Sequence, residues 1–214
     1  MSAGHLMLSL SEPGSAERQI IDGALRHCAR FGVAKTTVAD IAREAGVSRA
    51  TVYRVFPSGR DGVLEAVRRH RVLSFFADLD AELRGRGDLA DIIGCGLHRA
   101  AIMLASDEEF QGLLAHEPGP LLETLSGRGL QRIFAAARVF VAPHLEALVG
   151  SSEADRLSEW MVRIVLSYTL DPSQHVDLRS RPQVDEFVAA HVLPGVAVID
   201  AAPPTSPTLQ EAGS

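Results

Sequence analysis

Residues 35–64 read KTTVADIAREAGVSRATVYRVFPSGRDGVL, and this run contains the starts of three helices. Gly46 is placed to end the first helix after two turns, and the second ends near Phe56. A side-chain cap is worth about 1 kcal/mol, so it fixes where a short helix begins even when helix propensity is weak. Each predicted helix follows a residue that can supply such a cap: Thr37 (in a Thr-x-x-Asp box with Asp40), Ser48, and Ser58 (with Asp61).

The helix predicted after Ser48 has two different faces. Val52 and Phe56 lie four residues apart and are expected to pack against the preceding helix as an internal core. The opposite face is small, aromatic and doubly basic: Arg49, Ala50, Tyr53 and Arg54. Arginine can bond a guanine edge bidentately, alanine admits thymine methyls, and a tyrosine hydroxyl can reach phosphate. Two short helices joined by a Gly-Val turn therefore predict a helix-turn-helix, whose second helix enters the major groove of DNA.

The charge of the chain is distributed unevenly. The whole chain carries 21 Lys+Arg and 27 Asp+Glu, a formal net charge of −6. Residues 15–70 hold ten basic and six acidic side chains, a balance of +4, which leaves −10 for the remainder. A basic end on an acidic body is the asymmetry expected when one end alone meets a polyanion.

The run from Thr37 to Phe56 resembles the hallmark of the TetR family of transcriptional regulators. That pattern, T-hydrophobic-x-x-I-A-x-x-A-G-V-S-x-x-T-hydrophobic-Y-x-x-F, is matched almost without gaps, and the amphipathic helix that ends at Phe31-Gly32 matches too. The remainder of the chain matches in architecture alone. The resemblance implies base contacts from Arg49, Ala50 and Tyr53, and phosphate contacts from Thr37, Ser48, Thr51, Tyr53 and Arg54.

Two positions depart from the family pattern. Val55 stands where the family often has His, and Gly59 stands where it usually has a Lys that grips phosphate at the start of the fourth helix. Arg60 follows directly and is a candidate substitute for that Lys. One position on a helix is nevertheless a rotation of about 100°, so equivalence of Arg60 with the missing Lys stays open.

The rest of the chain has helical spacing of apolar residues, and no convincing strand is expected. Capping patterns occur at Ser106 (with Glu109) and Ser152 (with Asp155), and Gly127 and Gly129 weaken the long helix in which they fall. Helices are predicted at about 16–30, 37–46, 48–56, 58–84, 89–105, 107–116, 121–148, 153–170 and 182–193.

We therefore predict an all-α fold of about nine helices, with an N-terminal three-helix helix-turn-helix DNA-binding domain joined to a larger C-terminal domain. The DNA-binding domain is expected at 15–62, and the ligand-binding and dimerisation domain at 63–200. Residues 1–14 and 201–214 are rich in Ser, Gly, Pro and Ala and are expected to be disordered tails.

A homodimer is expected because one short recognition helix makes few contacts, and two-fold symmetry suits a palindromic operator in double-stranded DNA. The last two helices resemble the pair that forms a four-helix dimer interface in the family. For any single residue, a place in the core of the chain is the simpler interpretation. The predicted interface residues are Leu157, Trp160, Met161, Ile164, Tyr168, Val184, Phe187, Val188 and His191.

The middle helices are where members of the family hold an effector. Apolar residues dominate this region, although such stripes line a core more often than a pocket. A ligand held there is expected to be a mainly apolar small molecule that releases the protein, a repressor, from DNA. The predicted ligand-binding residues are Met103, Phe110, Leu113, Leu114, Leu122, Phe134 and Arg138.

Other classes of function lack support in the sequence. The eight histidines form no H-E-x-x-H, no G-x-S-x-G occurs, and neither Cys28 nor Cys95 belongs to a C-x-x-C pair, so no enzyme, metal or cofactor is expected. The longest uncharged stretch, 187–199, is too short to span a membrane, and a bacterial cytoplasmic location is expected. The remaining alternative is an all-helical interaction module without sequence-specific DNA binding.

Overall fold

The computed structural model of the chain describes residues 12, 14–116, 119, 122 and 125–196. Those residues form helices and connecting turns with no β-strand, which confirms the predicted all-α fold. The last α-helix continues into a π-helical turn, Val188–Val192, and a 3₁₀ turn, Leu193–Gly195. The α-helices are α1 Ala16–Phe31, α2 Val38–Ala45, α3 Arg49–Val55, α4 Arg60–Leu83, α5 Leu89–Ser106, α6 Glu108–His116, α7 Gly127–Phe140, α8 Ala142–Val149, α9 Ser151–Leu170 and α10 Arg181–Phe187.

Two of the three predicted caps in residues 35–64 are confirmed. The Thr37 side chain accepts a hydrogen bond from the backbone of Asp40, whose carboxylate accepts one from the backbone of Thr37, so the capping box is complete. The Ser48 hydroxyl accepts from the backbone N–H of Thr51 at 3.0 Å. Both caps connect residues three apart in sequence, which is why the local pattern predicts them correctly.

Three other predicted caps are wrong because a neighbouring residue takes the position. The N-cap of α4 is Gly59 rather than Ser58, and it supplies no side-chain hydrogen bond. At α6, the carboxylate of Asp107 accepts from the backbone of Phe110, whereas the Ser106 hydroxyl donates back to the Ile102 carbonyl. At α9, the N-cap is Gly150, again without a side-chain hydrogen bond, and Ser152 lies inside the helix.

The helix predicted at 121–148 is divided within the described residues. It starts at Gly127, whose φ is +51°, and breaks at Val141. Pro143, in the first turn of α8, has no N–H with which to continue the α7 hydrogen-bond ladder. Residues 121, 123 and 124 of that prediction lie outside the described residues, as do residues 1–11, 13 and 197–214, which include the predicted C-terminal tail and most of the predicted N-terminal tail.

The helices enclose two apolar cores, and α4 takes part in both. Its first half supplies Val63, Ala66 and Val67 to a small core with α1, α2 and α3. Its second half supplies Leu73, Phe76 and Leu79 to a larger core built with α5 and α7–α10. The boundary predicted between residues 62 and 63 therefore falls in the first turn of α4, and the small core extends to Val67.

Polar contacts also join α4 to the helices of the larger core. Four ion pairs are spread along its length: Glu65–Arg132, Arg71–Asp107, Asp80–His144 and Glu82–Arg99. Each reaches a different element, from α7 and the start of α6 to α8 and α5. The DNA-binding end and the body are thus connected through one helix that is held on several sides.

Helix α5 is long and apolar enough to cross a membrane, by length and composition alone. Half of it is buried, and it contacts α4, α9 and α10. A Cβ at Gly96 would lie 2.5 Å from the Met161 methyl, so glycine permits the close approach of α5 to α9. These contacts are those of a core helix.

Candidate nucleic-acid interface

The helix-turn-helix is held together by one turn and one buried face. Gly46 adopts the left-handed conformation at φ 68°, and its N–H and that of Val47 bond carbonyls at the end of α2. Ile41 on α2 and Val52 on α3 are both fully buried against Ile20 of α1. The predicted inner face is confirmed at Val52, whereas Phe56 is half-buried.

The opposite face of α3 is exposed, as predicted. Arg49, Ala50, Tyr53 and Arg54 all reach solvent, and Tyr53 is 53% exposed. Among the described residues, neither Arg49 nor Arg54 has an ion-pair or hydrogen-bond partner. Two uncompensated guanidinium groups on one short helix can each donate to a base edge or a phosphate.

Thr37, Ser48 and Thr51 cluster at the two helix starts. The Thr37 hydroxyl donates to the Asp40 carboxylate at 2.5 Å, and the hydroxyls of Ser48 and Thr51 lie 2.9 Å apart. Hydrogen bonds from Thr37 and then from Arg43 lower the pKa of Asp40. The first N–H groups of a helix have no partner inside it, so both starts are suited to phosphate oxygens.

The structure explains why glycine stands at position 59. Gly59 has φ +59°, a left-handed region that favours glycine, and a Cβ there would lie 2.8 Å from Cε1 of Tyr53. The ring of Tyr53 therefore rests on the backbone of Gly59. The lysine usual in the family at this position has no room beside the ring in this arrangement.

Arg60, the candidate substitute for that lysine, points into the chain. Its Nε donates to the Thr36 carbonyl at 2.7 Å, and its Nη2 donates to the Val33 carbonyl at 2.9 Å. The third nitrogen, Nη1, lies 3.4 Å from the carboxylate of Asp61. Sequence reasoning missed both carbonyl partners because a main-chain acceptor leaves no residue-type signal 24 or 27 positions away.

Burial divides the predicted dimer residues into two groups. Leu157, Met161, Val184 and Val188 are at most 5% exposed and fill the larger core of the chain itself. These four residues are therefore removed from the predicted dimer interface. A wide apolar stripe on a helix packs first against the core of its own chain. Those left at the surface or half-buried are Trp160, Ile164, Tyr168, Phe187 and His191.

The predicted ligand residues differ in their surroundings. Phe134 is 2% exposed, belongs to the larger core and lies under the Arg163 guanidinium, 4.4 Å from the ring centroid, and its role as a ligand residue stays a prediction. Leu122 is 54% exposed. Arg138 borders an open cavity of about 500 Å³ whose other lining residues are mostly charged: Asp155, Arg156, Glu159, Trp160 and Arg163. Met103, Phe110, Leu113 and Leu114 are half-buried on α5 and α6.

The described part of the chain offers neither a metal site nor a reactive thiol. No group of three or more His, Cys, Asp or Glu side chains there could hold a metal ion. Cys28 and Cys95 are free and buried, and burial raises the pKa of the Cys95 thiol. A thiol with a raised pKa is a poor nucleophile.

Comparison with known proteins gives the same assignment for the N-terminal region. Residues 20–67 match the model of the family described as bacterial regulatory proteins, tetR family. An uncharacterized HTH-type transcriptional regulator of Mycobacterium tuberculosis is 29% identical over 175 residues, 80% of this chain and 89% of its own. The HTH-type transcriptional regulator BetI of Brucella melitensis is 39% identical over 67 residues, 31% of this chain and 33% of its own.

Solved structures share the fold over most of the chain. The TetR family repressor AlkX from Dietzia superposes with a TM-score of 0.62 at 20% identity, covering 84% of this chain and 96% of that one. The fatty acid degradation regulator FadR from Bacillus halodurans superposes with a TM-score of 0.53 at 16% identity, covering 85% and 98%. The helix-turn-helix and the family match agree for the N-terminal region: residues 20–67 form a DNA-binding domain of the TetR type, and the whole chain shares the all-helical fold of solved TetR family proteins.

Proposed function

We propose that this regulator is a repressor that binds a palindromic operator as a homodimer and leaves it when a mainly apolar small molecule binds. Residues 15–62 would form the DNA-binding domain and residues 63–200 the ligand-binding and dimerisation domain. The proposal depends above all on the outer face of α3, where Arg49 and Arg54, which have no partner in the described part of the chain, flank an exposed alanine and tyrosine. A bacterial regulator of this kind acts in the cytoplasm, where the DNA is, and needs no catalytic residues.

The proposed contacts follow the geometry of the two helix starts. Arg49, Ala50 and Tyr53 would face base edges, because they occupy the exposed side of the helix that enters the groove. Phosphates would be held by Thr37, Ser48, Thr51, Tyr53 and Arg54, which lie at the two N-termini and along the edge of α3.

Selection of bound duplexes from a random DNA pool, followed by titration across a salt series, tests operator binding. The selected sequence should be palindromic, and affinity should fall steeply with salt because bound phosphates release counterions. Arg49→Ala should relax the sequence preference, whereas Arg54→Ala should weaken all sequences and flatten the salt slope. Arg128→Ala, which removes an exposed arginine from α7 in the body, is the matched control.

DNA binding like that of the parent in both α3 variants would contradict the assignment of α3 as the recognition helix. If Arg49→Ala and Arg54→Ala bind DNA as the parent and the control do, the face of α3 is not the DNA-binding surface. If the parent selects no sequence, the alternative of an interaction module without sequence-specific DNA binding is favoured.

The proposed dimer interface lies along α9 and α10. Trp160 is 40% exposed, and Tyr168, Phe187 and His191 form a row of aromatic rings with centroids 5.5 to 5.7 Å apart. Trp160→Glu should reduce the dimer fraction in sedimentation velocity, because a charge would replace a large apolar surface. Ser152→Glu adds the same charge at an exposed position of the same helix and should leave the dimer intact.

The effector site is proposed beside α5 and α6. Half-buried apolar residues that pack on the larger core include Leu104, Leu130, Ile133 and Phe140. Met103, Phe110, Leu113 and Leu114 are also half-buried, and the described core does not account for them. Native mass spectrometry of the purified protein should find an apolar molecule, and a strongly polar ligand would contradict the proposal.

Release from DNA would follow from unequal affinity of the effector for two states. A ligand shifts an equilibrium only as far as it binds one state more tightly than the other. An effector that weakens operator binding must therefore bind less tightly to the operator-bound protein, by the same factor.

A further inference from the structure

Arg60 connects the start of α4 to the loop between α1 and α2. Its guanidinium donates to the carbonyls of Val33 and Thr36, at 2.9 and 2.7 Å, and so spans both ends of this loop. The side chains of Val33, Ala34 and Lys35 are exposed, so they do not anchor the loop themselves. Thr36 is 1% exposed, and its hydroxyl donates to the Gly32 carbonyl.

The loop held by Arg60 leads directly into α2. Thr37, the N-cap of α2, follows the Thr36 carbonyl that accepts from Arg60. A shift of this carbonyl would move the first turn of α2, where the exposed capping box of Thr37 and Asp40 lies. The guanidinium therefore fixes the position of one helix start relative to α4.

The same contacts leave Arg60 poorly placed to grip phosphate. Two of its three nitrogens already donate to carbonyls, and the third lies beside Asp61. Nε carries a single N–H, so a phosphate contact from it would break its bond to the Thr36 carbonyl and leave that carbonyl without its charged donor. Nη2 keeps a second N–H, but the bond from its first N–H to the Val33 carbonyl holds the guanidinium against the loop. Arg54 has no such partner among the described residues.

We propose that Arg60 is a positioning residue, which holds the α1–α2 loop so that the start of α2 meets the DNA backbone in register, and that it is not a phosphate ligand. This inference rests on the proposed DNA binding. The positive charge of Arg60 thus serves to fix the shape of the loop through its two carbonyl contacts.

Two substitutions separate positioning from phosphate binding. Arg60→Ala removes the guanidinium, and Arg60→Lys keeps the positive charge but replaces the planar fork by a single ammonium group. An ammonium can hold a phosphate, so Lys should rescue a phosphate ligand. It cannot reproduce the pair of carbonyl contacts that the fork makes, so Lys should not rescue a positioning residue. Arg54→Ala is the control for a true phosphate contact.

The first measurement uses the full chain without DNA. The N–H of Thr36 donates to the Val33 carbonyl at 3.1 Å, so its hydrogen exchange reports on the closed loop. Exchange at Thr36 should be faster than in the parent for both Arg60 variants and unchanged for Arg54→Ala. Parent-like exchange in both Arg60 variants would overturn the proposal, since the loop would then hold its shape without the guanidinium.

The second measurement titrates the duplex selected by the parent from the random pool, at several salt concentrations. Arg60→Ala and Arg60→Lys should each lose about tenfold in affinity at every salt concentration, with the parent's slope. Arg54→Ala should reduce the slope of log K against log salt by about 0.9, the value for one phosphate contact. A slope reduced by Arg60→Ala and restored by Arg60→Lys would overturn the proposal.

The two measurements also distinguish this inference from the proposed function. If the parent selects no duplex, the proposed function fails, while the exchange at Thr36 still shows whether Arg60 holds the loop. If the parent binds its operator and the Arg60 variants exchange and bind as the parent does, the positioning role alone fails.

Discussion

Gly59 is required by the tyrosine beside it and by its own backbone conformation. Its φ of +59° is costly for any residue with a Cβ, by roughly 1 to 2 kcal/mol. The Tyr53 ring occupies the space that such a Cβ would need. In this arrangement of the turn, a glycine fits beside the ring where the family usually has a lysine.

Gly59→Lys, which restores the residue usual in the family, should weaken operator binding even though it adds a positive charge. The new side chain must strain the backbone and displace the Tyr53 ring from its place on the turn. Ser58→Lys adds the same charge at the preceding exposed position, which has no positive φ, and serves as the control. Fluorescence anisotropy with the selected duplex checks the pair. Equal or tighter binding by Gly59→Lys would show that the turn can adapt.

Asp40 makes the stability of α2 depend on pH. Hydrogen bonds from Thr37 and Arg43 favour the charged carboxylate and lower its pKa in the folded chain. A carboxyl group with a depressed pKa stabilises the fold above its unfolded pKa, about 3.9, and loses this contribution as pH falls through the folded pKa. Asp40→Asn should therefore be less stable than the parent at pH 7, and the difference should shrink below pH about 4.

Urea unfolding of both proteins at several pH values checks this prediction. The difference in the free energy of unfolding between the parent and Asp40→Asn could instead stay constant down to the lowest pH. The variant would then be destabilised by the shape of the amide and not by the loss of the carboxylate charge. Asp61→Asn is a suitable control, because Asp61 is exposed at the next helix start and caps no helix.

At the scale of elements, sequence patterns succeed where the contacts are local. Thr37 and Ser48 cap helices through residues three positions away, and both were predictable. Ser58 fails as a cap because the neighbouring Gly59 is set by Tyr53, a contact made across the turn. The break at Val141 had a signal in Pro143, whereas the amphipathic stripes of α9 and α10 could not separate core from interface, since both are apolar.

The α1–α2 crossing depends on a glycine that faces backbone. A Cβ at Gly23 would lie 2.7 Å from the backbone nitrogen of Ala45 and 2.9 Å from its Cα. Backbone atoms cannot rotate away as the end of a side chain can. If position 23 carried a Cβ, α1 and α2 would therefore have to separate. Ile20 and Ile41, fully buried between these helices, would then lose contact.

Gly23→Ala should destabilise the chain by about 1 to 3 kcal/mol, as overpacking does, although alanine is the better helix former by about 1 kcal/mol. Gly112→Ala makes the same substitution inside α6, where a Cβ would meet nothing within 4 Å. It should stabilise by about 0.5 to 1 kcal/mol. In thermal unfolding, Gly23→Ala should lower the melting temperature and Gly112→Ala should raise it. A rise in both variants would show that α1 and α2 separate without cost.

Across the whole molecule, the net charge of −6 is an average over two parts with different tasks. The basic part coincides with α1–α3 and the first turns of α4, where the proposed DNA contacts lie, while the acidic part contains the larger core. Repulsion between the acidic body and DNA would help to orient the basic end toward it. This division of charge could be predicted from the sequence. The sharing of α4 between two cores could not, because the spacing of apolar residues does not show which helix a buried face packs against.

The shared helix predicts how the molecule unfolds. Val67 of α4 is buried in the small core and Leu73, six residues later, in the larger one, so neither core can lose its side of α4 without disturbing the other. The four ion pairs along α4 are partly exposed, and each adds little by itself. Apolar packing on both halves of one continuous helix is therefore the main coupling between the two ends.

Ile41→Val tests this coupling, because it removes one methylene from the small core and should cost about 0.5 to 1.5 kcal/mol. Trp160, the single tryptophan, lies on α9 in the body and reports on the other core. If α4 couples the cores, the urea midpoint measured by Trp160 fluorescence should fall together with the midpoint measured by circular dichroism, as it should for Ile93→Val in the larger core. A Trp160 midpoint that stays at the parent value in Ile41→Val would mean that the two cores unfold independently.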